Sequence, residues 1–241
     1  MTSVAMARYP GLQNPEDRNP EKAIRNERLA PFQNAFAEYL RKCAESREGG
    51  SDFYKLSKEF YKFVLTPQEI QEVLDSTIRL APISMMRGFV LTQLIQQSYY
   101  AGHSNFNITT TQNIDYLGYE LRCSPKKVLH FTLHGDAGHQ TFQEAAYINV
   151  LVSGNAGDRI GRMSENCVIE IQGDAETYTA ELAKNCTFKL RKSFQTIGPS
   201  TIDCIIQAYR RATYNKLLRT YLPDNTIQLR NRKNEIIAER K

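Results

Sequence analysis

The sequence lacks an apolar run long enough to cross a membrane. Its longest mostly apolar stretch, residues 83–95, still contains serine, arginine, threonine and glutamine. A membrane-spanning helix needs about 20 consecutive apolar residues. The first twenty residues also lack a hydrophobic core preceded by basic charge, so no secretory signal is evident. We therefore expect a soluble, cytoplasmic protein.

The spacing of the cysteines excludes zinc-finger motifs. The chain has five cysteines, an odd number, and no two of them form a CxxC pair. We predict that they are buried, reduced thiols in a reducing compartment. The five are Cys43, Cys123, Cys167, Cys186 and Cys204.

Catalytic signatures are missing as well. The chain contains no GxSxG, HExxH or GxxxxGK[ST] motif. Three of the four histidines are close in sequence, but His130 and His134 would lie on one strand about 13 Å apart, too far to share a metal ion. A pair of His134 with His139 across the following corner remains an open alternative. We predict no cofactor, no metal and no catalysis by this chain alone.

Composition and charge limit the classes of protein to which this chain can belong. With 241 residues, 41% apolar and 24% charged, the chain is long enough for one large domain or two small ones and is not disordered, collagen-like or a coiled coil. The net charge of +5 is uneven, because residues 209–241 carry nine Lys or Arg against three Asp or Glu. Such a segment is typical of an arm that contacts phosphate or an acidic partner, and equally of a solvated helix end and tail.

The first hundred residues predict helices. Residues 1–20 hold three prolines and little apolar content, which favours an extended lead-in. Apolar residues then recur at helical spacing in four segments, of which the first ends near residue 45 and the fourth covers 84–100. The expected core positions are Leu29, Phe32, Phe36, Tyr39, Leu40, Cys43, Phe53, Leu56, Phe60, Phe63, Val64, Ile70, Val73, Leu74 and Ile78.

The start of the third helix is marked by a specific local motif. Thr66 stands at the N-cap, Pro67 at the first helical position and Glu69 at the third. These residue types satisfy the backbone donors that a helix leaves free at its start. Glycines at 49 and 50 are expected to separate the first two helices, and the second is expected to begin at residue 51 or 52.

A nineteen-residue repeat is the strongest pattern in the chain. A Gly-Asp/Asn-Ala motif begins at Gly135 and recurs at Gly154 and Gly173. An alternating apolar run precedes each glycine, and a fourth run follows nineteen residues later without one. The runs are Leu129, Phe131, Leu133; Ile148, Val150, Val152; Cys167, Ile169, Ile171; and Cys186, Phe188, Leu190.

This repeat predicts a right-handed parallel β-helix built from 19-residue coils. Alternation indicates strands with one buried face, and a fixed period near twenty indicates stacked coils. Glycine after each strand would permit the positive φ of a sharp corner. A leucine-rich repeat has a similar period but needs an asparagine and a leucine-led consensus that are missing. The corner positions are Gly135, Gly138, Gly154, Gly157 and Gly173.

A further coil is expected upstream. Phe106, Ile108 and Thr110 form another alternating run, 23 residues before the next one. An insertion of about four residues around 116–124 would reconcile that spacing with the repeat.

The coil from Ile148 to Met163 resembles a known repeat. Strand-Gly-Asn-Ala-Gly-Asp-Arg-Ile-Gly-x-Met followed by strand-Gly-Asp-Ala is similar to the glycine-rich β-helix repeats of two families, the C-terminal domain of the glutamate synthase large subunit and the β-helix subunit of formylmethanofuran dehydrogenase. The match covers residues 128–192, and Glu176 and Lys192 replace glycines. In those families the β-helix contacts other subunits, while the catalytic cofactors lie elsewhere. The resemblance therefore implies a scaffold.

The C-terminal helix and the helix over 84–100 are each expected to cover an end of the solenoid or to run along its flank. A helix starting at Ser200 or Thr201 would carry Ile202, Ile205, Ile206, Tyr209, Leu217 and Tyr221. A hairpin over residues 226–237 and a disordered basic tail fit the remaining sequence about equally well. The predicted class is α+β, with a lead-in (1–20), a helical domain (21–101), the β-helix (102–198), and a capping helix with a basic tail or hairpin (199–241).

These features favour a non-catalytic scaffold or subunit-interaction protein. A protein partner or a second copy would dock on the flat solenoid face. One alternative is RNA or other nucleic-acid binding, because basic residues neutralise phosphates and the interleaved Tyr209, Tyr214 and Tyr221 would stack on bases. A second alternative is an accessory subunit of a larger oxidoreductase-type complex. The basic residues in question are Arg210, Arg211, Lys216, Arg219, Arg230, Arg232 and Lys233.

Overall fold

The computed structural model describes residues 20–46, 50–78, 81 and 83–241, so the predicted lead-in falls outside this range except for its last residue. This part of the chain forms a helical region followed by a parallel β-solenoid. The elements in chain order are α1 (Pro20–Glu45), α2 (Gly50–Ser57), a 3₁₀ helix (Lys58–Lys62), α3 (Pro67–Ser76), α4 (Ser84–Tyr100), β1 (Asn105–Thr109), β2 (Leu129–His134), β3 (Ile148–Val152), β4 (Val168–Ile171), β5 (Thr187–Leu190), β6 (Ile205–Ala208), α5 (Arg211–Leu218), β7 (Thr226–Arg230) and β8 (Ile236–Arg240).

The helical region packs around aromatic side chains. Phe32, Tyr39 and Phe60 are each at most 1% exposed, and the Phe60 ring centroid lies 5.5 Å from both of the others. Burying such large rings removes much apolar surface from water and dominates the energetics of this core. The predicted apolar stripe of α1 is therefore confirmed, and that of α3 is confirmed by the burial of Ile70, Val73 and Leu74.

Two details of the second helix differ from the prediction. The helix begins at Gly50, and after Ser57 it tightens into the 3₁₀ helix. Because the chain then becomes extended at Phe63, helical spacing no longer applies. Val64, a predicted core residue, is 53% exposed as a result.

The predicted capping motif at Thr66 is present in full. The backbone N–H of Glu69 donates to the Thr66 hydroxyl, and the backbone N–H of Thr66 donates to the Glu69 carboxylate at 2.8 Å. Pro67 occupies the first helical position. These contacts satisfy donors that a helix start otherwise leaves free, and α3 begins where the sequence predicted.

The solenoid is one eight-stranded sheet whose strands follow sequence order. Strands β1 to β7 pair in parallel, and β8 pairs with β7 antiparallel. Register positions repeat every 19 residues from His130 through Asn149 and Val168 to Thr187. The predicted 19-residue coils are therefore confirmed.

The first coil is longer than expected. Phe106 pairs with Phe131 rather than with Leu129, so the first step is 25 residues instead of 23. The bridges from Ile114 to Ala137 and from Arg122 to Ala146 place most of the extra residues between 122 and 129, later than predicted. An irregular loop accommodates extra residues without breaking the ladder, which explains how the register survives.

Inward side chains of the strands form stacked rows in the core. Alternate residues are buried along β1 to β5, as the apolar alternation predicted, whereas consecutive residues are buried in β6 and β7. The two innermost rows are Phe106, Phe131, Val150, Ile169, Phe188, Ile206 and Ile227, and Ile108, Leu133, Val152, Ile171, Leu190, Ala208 and Leu229.

The predicted helix from residue 200 is wrong in its first half. Residues 205–208 form β6, which pairs with β5 at Thr187, and the helix α5 begins only at Arg211. An apolar run of this length fits a helix and a strand equally, and pairing with β5 decides the outcome. The chain then forms the β7–β8 hairpin, one of the two predicted alternatives.

A helix covers the first end of the solenoid, whereas at the other end α5 covers one side and the exposed strand β8 forms the outer edge of the sheet. On one side α4 lies against the first coil through Ser84, Thr92, Gln96 and Tyr99, whose side chains bond to its backbone. On the other side, the Thr213 hydroxyl and the Lys216 ammonium of α5 donate to the carbonyls of Lys192 and Phe194, both at 2.6 Å. Unpaired backbone groups at a solenoid end invite edge-to-edge association, and these contacts occupy some of them. No helix in the described residues has the length and apolarity to cross a bilayer.

Candidate functional site

The sheet face that points away from the core is the most extended surface of the solenoid. Its middle rows mix apolar and polar side chains, all half-buried except Gln207, which is buried. The neighbours in register are Asn149, Val168 and Thr187 in one row, and Leu151, Glu170, Lys189 and Gln207 in the next. We call these seven residues the outward face.

Ion pairs and ring contacts hold the polar side chains near this face in place. The Glu170 carboxylate lies 2.7 Å from the Arg191 guanidinium and 3.6 Å from the Lys189 ammonium. Arg191 in turn stacks over the Tyr209 ring at 3.7 Å, and the Tyr209 hydroxyl donates to Asn234 at 2.6 Å. The network links β4 to the β7–β8 turn, so this part of the surface is preorganised.

Exposed basic residues collect where strands β5, β6 and β7 end. Leu190 pairs with Ala208 and Ala208 with Leu229, so the segments that follow these residues leave the sheet at one edge. Those segments carry five exposed basic side chains, which we call the basic rim. They are Lys192, Arg210, Arg211, Arg232 and Lys233.

Two of the three remaining predicted basic residues are engaged elsewhere, while Arg219 is exposed. Arg230 donates to Gln228 and to the Asn234 carbonyl, and Lys216 lies 4.7 Å over the Phe194 ring. Arg219 follows the end of α5. Lys192 was missed because its proximity to Arg210 depends on strand register.

The predicted stacking tyrosines do not form a platform. Tyr214 is 6% exposed in the core, and Tyr209 lies under Arg191. Tyr221 is 87% exposed and is the one of the three that is fully accessible. The interleaving predicted from a single long helix is therefore wrong, because β6 replaces the first half of that helix.

The corner glycines are stacked, but for a reason other than the predicted one. The N–H of Gly154 donates to the Gly135 carbonyl at 3.0 Å, and that of Gly173 to the Gly154 carbonyl at 2.8 Å. Among the five predicted corner glycines, Gly135 alone has a left-handed φ, +139°. A Cβ on Gly154 would lie 2.1 Å from Asp136 Oδ1, and one on Gly173 would lie 2.4 Å from the Gly154 carbonyl oxygen. Close approach between coils requires these glycines. Gly138 and Gly157 are crowded in the same way.

Left-handed backbone occurs instead at residues with side chains. The corner positions Gln140, Arg159 and Tyr178 repeat at 19-residue intervals with φ near 55°. Further series are Phe142, Gly161 and Ala180; Glu144, Met163 and Leu182; and Tyr147, Asn166, Asn185 and Asp203. Only Gly161 and the asparagine and aspartate positions carry a residue type that signals this conformation in sequence.

The histidines separate into two locations. His130 and His134 are exposed on β2, pointing away from the core. His139 lies at the next corner beside Asp158 and Glu176, with one ligand atom of each within 4.8 Å of the others. In the described residues this group does not include His134, so the structure gives no support to a His134–His139 pair.

All five cysteines are free thiols. Three of them stack in the core, where the Cys167 N–H points to the Cys186 sulfur at 3.4 Å and the Cys186 N–H to the Cys204 sulfur at 3.3 Å. Cys123 is half-buried, and burial raises its pKa to about 12. A thiol held protonated in this way is a poor nucleophile.

Two shallow clefts are present in the described part of the chain. One, of about 370 Å³, is lined by Lys42, Asp52 and neighbouring residues of α1 and α2. The other, of about 300 Å³, lies between the helical region and the first coils, beside Tyr54 and Gln143. Neither is lined by His134, His139 or Cys123, the residues that an enzyme site would be expected to use.

Comparison with known proteins assigns the chain to no group: no family model, no curated protein and no solved structure matches it. Functional conclusions for this chain therefore depend on its geometry and charge.

Proposed function

We propose that this protein is a non-catalytic scaffold that binds a protein partner on the outward face. The observation that carries the proposal is that α4 covers the first coil and α5 one side of the last coils, while no described helix packs against the outward face on β3, β4 or β5. A solenoid whose first end is covered does not extend by head-to-tail stacking, so its long side is a surface available for a partner.

The character of the outward face supports this assignment. Half-buried Leu151 lies in register with Glu170, and half-buried Val168 lies between Asn149 and Thr187. Protein interfaces combine apolar and polar groups in this way, and a rigid surface loses little conformational entropy on binding. The likeness to the glutamate synthase and formylmethanofuran dehydrogenase repeats supports the same role. From that likeness we also propose, as a narrower form, an accessory subunit of a larger oxidoreductase-type complex.

The test is co-purification of the tagged full chain from its native cells, with and without nuclease. The variant L151K/V168K places two charges on the outward face. The control M163K/L182K makes the same change in charge on the same coils, at side chains 39% and 43% exposed away from the strands. We expect a partner at fixed stoichiometry with the wild type and the control, resistant to nuclease, and its loss with L151K/V168K. Equal recovery of the partner with the two variants would contradict the proposal.

Nucleic-acid binding is a second candidate, favoured by the basic rim. Strand register gathers five exposed cations from three separate segments at one sheet edge. A cluster of cations draws phosphates mainly through the release of condensed counterions, which makes binding strongly dependent on salt.

This candidate is tested by binding of fluorescent single-stranded RNA at several salt concentrations. R210A/R211A removes two rim charges, and K126A/K184A removes two exposed charges elsewhere. If the rim binds phosphate, the slope of log affinity against log salt should fall by about 1.4 for the rim variant. The control should keep the wild-type slope, and identical slopes for the two variants would exclude the basic rim as the binding site.

A further inference from the structure

One corner of the solenoid brings together three metal-ligating side chains from successive coils. His139 belongs to the coil of β2, Asp158 to that of β3 and Glu176 to that of β4. His139 and Asp158 occupy equivalent positions one 19-residue step apart. One nitrogen and two carboxylate oxygens therefore lie within 4.8 Å of one another.

Hydrogen bonds to neighbouring coils fix two of these residues. The His139 backbone N–H donates to Asp115 Oδ1 at 2.8 Å, which holds the corner in place. Asp158 Oδ1 accepts from the Thr177 backbone N–H at 2.9 Å and from the Thr177 hydroxyl, so this carboxylate is held in one orientation. The second carboxylate oxygen, Oδ2, lies 3.7 Å from His139 Nδ1. Supporting bonds of this kind orient metal ligands in proteins.

Glu176 is where the repeat changes. Gly138 and Gly157 occupy the same position in the two preceding coils, and the Glu176 N–H continues their ladder by donating to the Ala156 carbonyl at 3.0 Å. The nearby Arg159 guanidinium lies 3.4 Å from Glu181, so that cation is already paired. Glu176 therefore adds a second carboxylate to the corner that holds His139 and Asp158, and two carboxylates beside an imidazole offer a set of ligands for a cation.

We propose that His139, Asp158 and Glu176 bind one divalent transition-metal ion, with Zn²⁺ as the best match. Zinc accepts imidazole nitrogen and carboxylate oxygen at about 2.0–2.2 Å, whereas Mg²⁺ and Ca²⁺ prefer oxygen ligands alone. Coordination through His139 Nδ1 replaces the 3.2 Å hydrogen bond from the Asp158 N–H, which solvent can then satisfy at this exposed corner. Such an ion would join three consecutive coils.

The test is Zn²⁺ titration of the full chain, followed by calorimetry and by NMR of the four histidine side chains. We expect one Zn²⁺ per chain and a shift of the His139 imidazole signals alone. E176Q should weaken binding at least tenfold. The matched control E165Q removes an exposed carboxylate outside the group and should bind as the wild type does. Mg²⁺ at the same concentration should not shift His139.

Three results would overturn the proposal. The first is equal affinity of E176Q and E165Q, and the second is a shift of His130 or His134 in place of His139. The third is a thiolate charge-transfer band with Co²⁺, which would place the ion on cysteine. Because Glu176 is exposed, E176Q should keep the wild-type urea midpoint, so weaker binding cannot be attributed to unfolding.

Discussion

The side-chain amide of Gln96 makes two hydrogen bonds to the backbone of Arg122. The Gln96 carboxamide oxygen accepts from the Arg122 backbone N–H at 3.0 Å, and its NH₂ donates to the Arg122 carbonyl at 3.1 Å. Gln71 of α3 does the same for Thr109, at 2.8 and 3.0 Å. A side-chain amide carries the same donor and acceptor as a peptide group. The two glutamines thus occupy backbone positions that a preceding coil would otherwise fill.

Removing one of these amides should destabilise the protein measurably. Q96A leaves the Arg122 N–H and carbonyl without their partner, and we expect the free energy of unfolding to fall by about 1–3 kcal/mol. Q97A removes the neighbouring amide of α4, which has no such role, and should cost under about 0.5 kcal/mol. Urea unfolding of both variants measures the difference, and equal losses would show that the cap contributes nothing.

Stacked glycines should tolerate no side chain. In G154A the new Cβ would meet Asp136 Oδ1 at 2.1 Å and the Gly135 carbonyl oxygen at 2.6 Å, so the coils must separate. We expect a loss of about 2–3 kcal/mol. G102A is the comparison, because its Cβ would meet nothing within 4 Å and only the strain of φ +117° remains, about 1 kcal/mol. If thermal unfolding shows that G102A is less stable than G154A, the crowding argument is contradicted.

Some left-handed positions should gain from glycine. Ser200 is exposed with φ 57°, a conformation that costs a residue with a side chain about 1–2 kcal/mol. Glycine removes that cost, but it also gives the unfolded chain more conformational entropy, which cancels part of the gain. S200G should therefore be more stable than the wild type by about 0.5 kcal/mol. S193G should lose stability instead, because the Ser193 hydroxyl donates to Asp174 at 2.6 Å. Differential scanning calorimetry of the two variants decides the sign.

The N-cap of α3 should contribute an ordinary capping energy. T66A removes the hydroxyl that accepts from the Glu69 N–H, and we expect a loss of about 1 kcal/mol. T66S keeps the acceptor and should stay within about 0.3 kcal/mol of the wild type. Chemical denaturation would refute a capping role if T66S lost as much as T66A.

Alkaline pH should weaken the fold through Cys123. Burial raises the pKa of this thiol to about 12, while an unfolded thiol titrates near pH 8.5. The folded state therefore holds a proton that the unfolded state releases, and stability present below about pH 8.5 is lost as pH rises toward 12. We expect the urea midpoint of the wild type, kept reduced, to fall more steeply above pH 9 than that of C123A. Parallel pH curves would show that this thiol is not buried in the native protein.

Features of the fold that depend on residues close in sequence could be predicted, whereas features that depend on pairing between distant segments could not. The bounds of α4, the Thr66 cap and the 19-residue period were predicted correctly, because apolar spacing and capping residues act over a few neighbouring positions. The β6 segment was not, because Ile205 and Ile206 fit a helical stripe as well as a strand, and a hydrogen-bond ladder with β5 makes the choice.

The candidate sites depended on tertiary structure to a larger degree. Glu176 was recognised in sequence only as a departure from the glycine pattern, and its place beside His139 and Asp158 follows from the stacking of three coils. Lys192 likewise meets Arg210 only because β5 and β6 end together. Residue types and their period determine that this chain winds into coils. Which side chains become neighbours depends on the register between coils. Parallel pairing joins residues that are 18 to 25 positions apart, and the local sequence pattern does not fix that spacing.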